Sequence, residues 1–395
     1  VRFSSVGIDD VLAFYGIAGA VSRESPPFRL ETWYHRAVPT NVTPEFKKAR
    51  EAFQRARDPS ERLDCLKEML RTLPKHKGTD HLQADLKRRI KELSAELAAP
   101  RTGGSRTAPS QVVRREGAAQ VALVGPPNSG KSSLHARLTG SHAEVAPYPN
   151  TTHAPSPGMM PYEDIHFQLV DLPPISAEFM EPWMPNALQP ADAVLLVVDL
   201  ATPGCVENVA SILERLEGKR ITLTPEWNGR LDPELLSRDC APANPARPTS
   251  TALPDGDLLE ETFRIRLPTL LLSNKSDIVA DPSEIDALED LLDVRFPCLA
   301  VSANTGAGLS AIGSLLFGGL GVIRVYTKIP GHPPDMSRPY TVFRGDTVHD
   351  AAQLVHRELA GSLKFARVWG GGKFDGQQVG RDYELQDGDV IELHG

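Results

Sequence analysis

Three short stretches of this chain carry residues whose types and spacing could do chemistry. Gly125-Pro126-Pro127-Asn128-Ser129-Gly130-Lys131-Ser132 sets two glycines five apart, then a lysine and a hydroxyl residue. That spacing lets the backbone N–H groups of a tight loop cradle a polyphosphate. Lys131 is expected to reach the outer phosphates, and the Ser132 hydroxyl to ligate Mg²⁺. Asn274-Lys275-Ser276-Asp277 is the second stretch. A carboxylate there can accept two parallel hydrogen bonds, from the ring N–H and the exocyclic amine of guanine. Adenine offers no such pair, and a polar site left unpaired by the wrong base discriminates strongly. Asn274 is expected to brace the loop and the stem of Lys275 to cover the base. The third is Asp171-Leu172-Pro173-Pro174, whose aspartate can hold Mg²⁺ directly or through water.

These residues need elements to aim them. The apolar run Val121-Ala122-Leu123-Val124 predicts a buried strand ahead of the first stretch, and Ser133 to Leu138 a helix opening behind it. The positive end of that helix adds to the phosphate cradle. Ile165 to Val170 predicts a strand delivering Asp171, and Ala193 to Val198 a buried strand ending in Asp199. Pro268 to Ser273 predicts the strand that leads into Asn274. Cys298 to Ser302 predicts the last strand, running into Ala303-Asn304-Thr305-Gly306, where a backbone N–H could meet the base carbonyl. The polar segment Tyr148 to Pro155 lacks core periodicity and predicts a loop; in a chain that binds a nucleoside triphosphate it would be a mobile switch offering a threonine hydroxyl to Mg²⁺, with Thr152 favoured over Thr151. Strands alternate with helices over 118–320, which predicts an α/β fold. Its sheet should be mostly parallel with helices on both faces, and the ligand should lie at the carboxyl ends of the strands.

The flanks differ in character. Residues 1–40 read as a weakly structured tail. Residues 41–99 predict three amphipathic helices, opening with Thr43 as cap and Pro44 in the first turn. From Glu45 to Glu96 there are 14 Lys/Arg against 10 Asp/Glu, densest at Lys75-His76-Lys77 and Lys87-Arg88-Arg89. This is either the solvated side of a helical bundle or a phosphate-contacting face for RNA. A polar linker over 100–117 leads to the α/β domain, 118–322. That domain contains one helix from Val206 to Leu216 and an insertion at about 220–266, Pro-rich from Pro242 to Pro254 and expected as a surface excursion. Residues 323–395 predict a small α+β half-barrel: strands at Ile323–Thr327, Tyr340–Phe343, Phe365–Trp369 and Val390–Leu393, with a helix from Val348 to Leu359.

Composition narrows the class. The net charge of −8 argues against a globally basic nucleic-acid binder, and no DNA partner is expected. Cys65, Cys205, Cys240 and Cys298 are far apart, as reduced cytosolic thiols would be. No apolar run approaches a membrane span, and no signal-peptide pattern is present. The chain opens on Val rather than Met, as either a fragment or a chain with a misassigned start would.

The motifs stand in GTPase order: Val124 to Ser133, Thr151-Thr152, Asp171-Leu172-Pro173, Asn274-Lys275-Ser276-Asp277 and Ser302-Ala303. The chain resembles the Obg superfamily, most closely the developmentally regulated GTP-binding proteins, over about residues 41–395. Lys75 to Leu82 looks like the helical segment before the core in prokaryotic relatives. Ile323 to Lys328, Val368-Trp369-Gly370 and Val379-Gly380 look like that family's β-grasp-like TGS domain. The resemblance implies a P-loop GTPase of the cytoplasm that binds GTP or GDP with Mg²⁺ and associates with the ribosome or RNA. Its nucleotide contacts would be Gly125, Pro126, Pro127, Asn128, Ser129, Gly130, Lys131, Ser132 and Ser133, with Asn274, Lys275, Asp277, Ser302, Ala303 and Asn304. Lys131, Thr152 and Asp171 would serve catalysis, and Ser132, Thr152 and Asp171 would hold Mg²⁺. Asn128 matches an asparagine that helps hold K⁺ in related GTPases, where the cation offsets transition-state charge. Ile175 stands where Ras-like enzymes place a water-orienting Gln, and it cannot orient water. Pro174 replaces the family's Gly, whose N–H meets the γ-phosphate; proline has no N–H. Losing one such bond costs about 1.5–3 kcal/mol. A slow GTPase and a hydrolysis-poor adaptor that binds guanine nucleotide both remain consistent with these residues.

Overall fold

The computed structural model describes residues 43–56, 59–74, 80–98, 113–140, 154–236, 264–278, 294–370 and 374–395. The first of these form three helices, α1 (Pro44–Arg55), α2 (Pro59–Thr72) and α3 (Asp80–Ala98). Thr43 caps α1 by accepting the Phe46 N–H at 3.2 Å, with Pro44 in the first turn. Phe46, Phe53, Leu66, Met69, Leu82 and Leu86 recur at helical spacing and close a core of their own. On the outer faces Lys67 pairs with Asp64, Arg71 with Glu68, and both Arg88 and Arg89 with Asp85. Those cations are engaged along their own helices, as on a solvated face.

Next comes the main sheet: β1 (Gln120–Val124), β2 (Ser156–Tyr162), β3 (Ile165–Asp171), β4 (Ala193–Val198), β5 (Ile221–Thr224), β6 (Ile265–Ser273) and β7 (Cys298–Ala300). The interleaved helices are α4 (Lys131–Thr139), α5 (Met184–Leu188), α6 (Cys205–Glu217) and α7 (Leu309–Leu320). The order is β2-β3-β1-β4-β6, with β5 beside the first half of β6 and β7 beside its end. Every pairing is parallel except β2 with β3. Successive residues of β1 and β4 feed two separate cores. Ala122, Val124, Val194 and Leu196 pack with Met184, Val209 and Ile212 on one face. Val121, Leu123, Ala193 and Leu195 pack with Leu134, Ile312 and Leu316 on the other. A strand buried on both faces reads as a continuous apolar run, which is why β1 and β4 stood out. Because β1 lies between β3 and β4, the connections leave it in opposite directions and open a crevice at its carboxyl end.

The chain then builds a second sheet from β8 (Val322–Thr327), β9 (Asp335–Phe343), β10 (Phe365–Trp369), β11 (Gln377–Val379) and β12 (Asp389–His394), in the order β11-β10-β12-β8-β9. Ile323, Val325, Ala366, Val368 and Ile391 face the helices α8 (Val348–Val355) and α9 (Arg357–Ser362).

Several elements differ from expectation. The single helix expected over Val348–Leu359 is two, because His356 is extended (φ −164°, ψ 120°). The break turns Ala360 and Leu363 into the core. Strand β2 escaped the sequence reading. Its Pro157 and Pro161 are tolerable because it is an edge strand paired on one side. The stretch from 220 onward is not all excursion: β5 joins the sheet, and Leu223 and Leu236 are buried. The Pro-rich run Pro242–Pro254 lies outside the described residues, as do Lys75-His76-Lys77 and residues 1–40.

Candidate functional site

The crevice beyond β1 gathers the chemistry-bearing stretches. Gly125 to Gly130 turn out of β1 and enter α4, whose N-terminus has no side-chain cap. A helix N-terminus of this kind, following a tight loop, favours an anion. Asn128, exposed at the loop tip, and Gly130 both adopt left-handed backbone, at φ 61° and 89°. Gly125 and Gly130 are needed for closeness. A Cβ on Gly125 would meet the Val197 carbonyl at 2.2 Å, and one on Gly130 would meet Asn274 Nδ2 at 2.2 Å. Ser129 Oγ donates to the Pro126 carbonyl at 3.0 Å and ties the loop to itself.

Lys131 is buried, and its Nζ donates to the carbonyls of Gly125 (3.1 Å) and Pro126 (2.9 Å). Burial lowers its pKa to about 8, while the nearby Asp171 carboxylate pulls it back up. Asp171, at the end of β3, is itself pushed upward by burial, partly offset by Ser132 and Lys131. Ser132 Oγ donates to Asp171 Oδ2 at 2.5 Å, while Asp171 Oδ1 is buried with no hydrogen-bond partner among the described residues. A hydroxyl and a carboxylate side by side, one oxygen unsatisfied, make a hard-oxygen donor set that fits Mg²⁺. Thr151 and Thr152 lie outside the described residues.

Asn274 stitches the two halves of the crevice together. Its Nδ2 donates to the Ser129 carbonyl at 2.8 Å, and its Oδ1 accepts the Ala303 N–H at 3.1 Å. One buried amide thus spaces the phosphate loop from the loop after β7. Asp277 is exposed, and its Oδ1 and Oδ2 accept from Ser302 Oγ (2.6 Å) and Asn304 Nδ2 (3.3 Å). The Ser302 hydrogen bond holds its carboxyl below the usual range, so it is an anionic acceptor at neutral pH. Lys275, at φ 62°, extends its Nζ to Asp199 Oδ2 at 2.7 Å. In the sequence Asp199 marks only the end of a strand. An aspartate closing a six-residue apolar run was the available signal.

After Asp171 the backbone bends back on the phosphate loop: the Ile175 N–H donates to the Gly125 carbonyl at 3.2 Å. The Ile175 side chain is fully buried among Leu172, Met184 and Leu188, inside the core.

Similarity to known proteins covers parts of both sheets. Residues 120–225 match the family described as 50S ribosome-binding GTPase, and residues 323–394 match the TGS domain. An uncharacterized GTP-binding protein of Methanocaldococcus jannaschii is 28% identical, over 84% of this chain and 92% of that one. Developmentally-regulated G-protein 1 of Arabidopsis thaliana is 29% identical, over 82% of this chain and 88% of that one. Developmentally-regulated GTP-binding protein 1 of Xenopus laevis is 29% identical, over 82% and 96% respectively. Among solved structures, the Schizosaccharomyces pombe YchF GTPase covers 71% of this chain and 99% of its own at 15% identity, with a TM-score of 0.45. Fold, site and family matches together define a P-loop GTPase carrying a C-terminal TGS domain. Within that class the relatives it resembles along most of its length include proteins named developmentally-regulated GTP-binding proteins, at 29% identity.

Proposed function

We propose that this GTPase hydrolyses GTP slowly, with Mg²⁺ required and K⁺ assisting, while associated with the ribosome or RNA in the cytoplasm. The observation that carries the reading is Asn274, which holds the phosphate loop and the base-facing loop at a fixed separation. In this reading Gly125 to Ser133 wrap the phosphates and Asp277 selects guanine, with Ser302, Ala303 and Asn304 completing the base pocket. Lys131 leaves its two loop carbonyls for the outer phosphates. Ser132, Asp171 and Thr152 hold Mg²⁺, which when bound neutralises charge on the phosphate oxygens. Asn128, exposed at the loop tip, is the proposed K⁺ ligand. We assign catalysis to residues 118–322 and contacts with RNA or ribosomal protein to residues 323–395, with the helices of 41–99 as a second contact region.

Slow turnover follows from two positions. Ile175 is packed in the core and cannot orient water. Pro174 lacks the N–H that would meet the γ-phosphate, and the next N–H is taken up by Gly125. The same two observations favour a second reading, an adaptor that binds GTP and barely hydrolyses it. Single-turnover phosphate release, measured in K⁺ and in Na⁺ with and without ribosomes, separates them. The GTPase reading expects release that is faster in K⁺ than in Na⁺ and faster with ribosomes. Release no faster than from free GTP under every condition establishes the adaptor. Equal rates in the two salts remove the role of Asn128.

A further inference from the structure

We propose that Asp199 is a positioning residue for nucleobase recognition: it pins the Lys275 ammonium so that the lysine stem is held across the crevice where the base lies. The proposal rests on the guanine-nucleotide reading above and adds a residue outside the motifs that carry it. β4 lies between the two motif-bearing strands β1 and β6, and Asp199 follows its last residue. The Asn274 N–H donates to the neighbouring Val198 carbonyl at 2.8 Å, so the base-reading loop leaves the sheet right beside Asp199.

The Asp199 carboxylate is fixed on both oxygens. Oδ1 accepts the Ala201 N–H at 3.1 Å, and Oδ2 accepts Thr202 Oγ1 at 2.8 Å and Lys275 Nζ at 2.7 Å. Burial pushes its carboxyl up, yet the hydrogen bonds from Lys275 and Thr202 outweigh that and hold it below the usual range. The Asp199 side chain is 9% exposed, whereas that of Lys275 is 36% exposed. A buried, immobilised anion is therefore holding the tip of a half-exposed chain whose own backbone is left-handed at φ 62°. A free lysine stem would sample many rotamers, and tethering its end removes that freedom before the ligand arrives. The apolar methylenes are then presented as a ready-made platform, with the charge occupied rather than competing for the phosphates.

The test compares Asp199→Asn, Lys275→Ala and the double variant, reading the affinity for fluorescent GDP and for the corresponding inosine nucleotide, which lacks the exocyclic amine. Loss of a charge-assisted tether should weaken GDP binding roughly tenfold in Asp199→Asn. Because the effect acts on the base plane and not its edge, the guanine-to-inosine preference should stay as in wild type. In the Lys275→Ala background Asp199→Asn should cost nothing further. Unchanged GDP affinity in Asp199→Asn, additive losses in the double variant, or a collapsed guanine preference would each overturn the proposal. If Asp199→Asn does not fold, Thr202→Val replaces it, loosening the same carboxylate; a GDP affinity equal to wild type then overturns the proposal. Wild-type protein that binds no GDP at all fails the nucleotide reading itself, which these comparisons keep apart.

Discussion

At the scale of single residues, two groups of the site, Lys131 and Asp171, are buried at a cost to their charged forms. Lys131 is the clearest case, since burial lowers its pKa to about 8 from an ordinary value of 10.5. The unfolded chain then holds more protons than the folded one between those values, so this group's contribution to stability rises with pH through that window. Phosphates beside the ammonium favour its charged form and raise the pKa again. GDP binding near pH 8.5 should therefore take up protons, and affinity should fall as pH rises through 8. Calorimetry in buffers of different ionisation enthalpy measures this, and Lys131→Met should abolish the uptake. Asp277 leads to a second expectation. Asp277→Asn offers an amide to the base edge, which suits xanthine rather than guanine, so the preference between XTP and GTP should reverse in a competition assay. Both side chains were legible in the sequence, because the chemistry they need is set by spacing along a short loop. The partner of Lys275 was not legible, because Asp199 lies 76 positions away.

At the scale of elements the phosphate loop depends on a glycine that two constraints demand at once. Gly130 sits at φ 89°, and its missing Cβ leaves room for Asn274 Nδ2. Gly130→Ala should strain the backbone by about 1–3 kcal/mol. It should also push Asn274 off the Ser129 carbonyl, so nucleotide affinity should fall more steeply than thermal stability does. Equal melting temperature and equal GDP affinity in that variant would contradict this account. Buried strands and their loops announced themselves through apolar runs ending in polar residues. Edge strand β2 did not, since Pro157 and Pro161 look like loop residues until a single-sided pairing excuses them. The break at His356 was equally silent. Its cause is the demand of a distant core for Ala360 and Leu363.

At the scale of the whole molecule the two sheets meet at Arg324. Its guanidinium takes Asp387 with two bonds, Nε to Oδ1 at 3.1 Å and Nη2 to Oδ2 at 2.8 Å. Its Nη1 donates to Glu163 (2.6 Å) and Asp164 (3.2 Å), in the turn between β2 and β3. Tyr326 adds its hydroxyl to Asp164 at 2.7 Å, and the guanidinium lies 5.0 Å from the Phe317 ring centroid. The carboxylates raise the Arg324 pKa further, keeping it charged at any working pH. A bidentate pair within a partly shielded network is worth more than an isolated surface ion pair, about 1–2 kcal/mol here. Arg324→Ala should therefore lower the melting temperature and speed amide exchange in residues 322–327, with GDP affinity retained. Exchange rates matching wild type would count against the clamp.

The sequence by itself determined the glycine-rich loop after β1, the Asn274–Asp277 loop and the alternation of buried strands with helices. Each of these depends on residues a few positions apart, whose backbone and side-chain chemistry needs no distant partner. Only the tertiary structure decided what those loops lean on: Asn274 reaching Ser129 and Ala303, Asp199 holding Lys275, and Arg324 clamping the β2–β3 turn. Contacts between residues far apart in sequence come into being when strands are laid side by side. The order β2-β3-β1-β4-β6 that brings them together is set by how two cores are filled, not by any local stretch of chain.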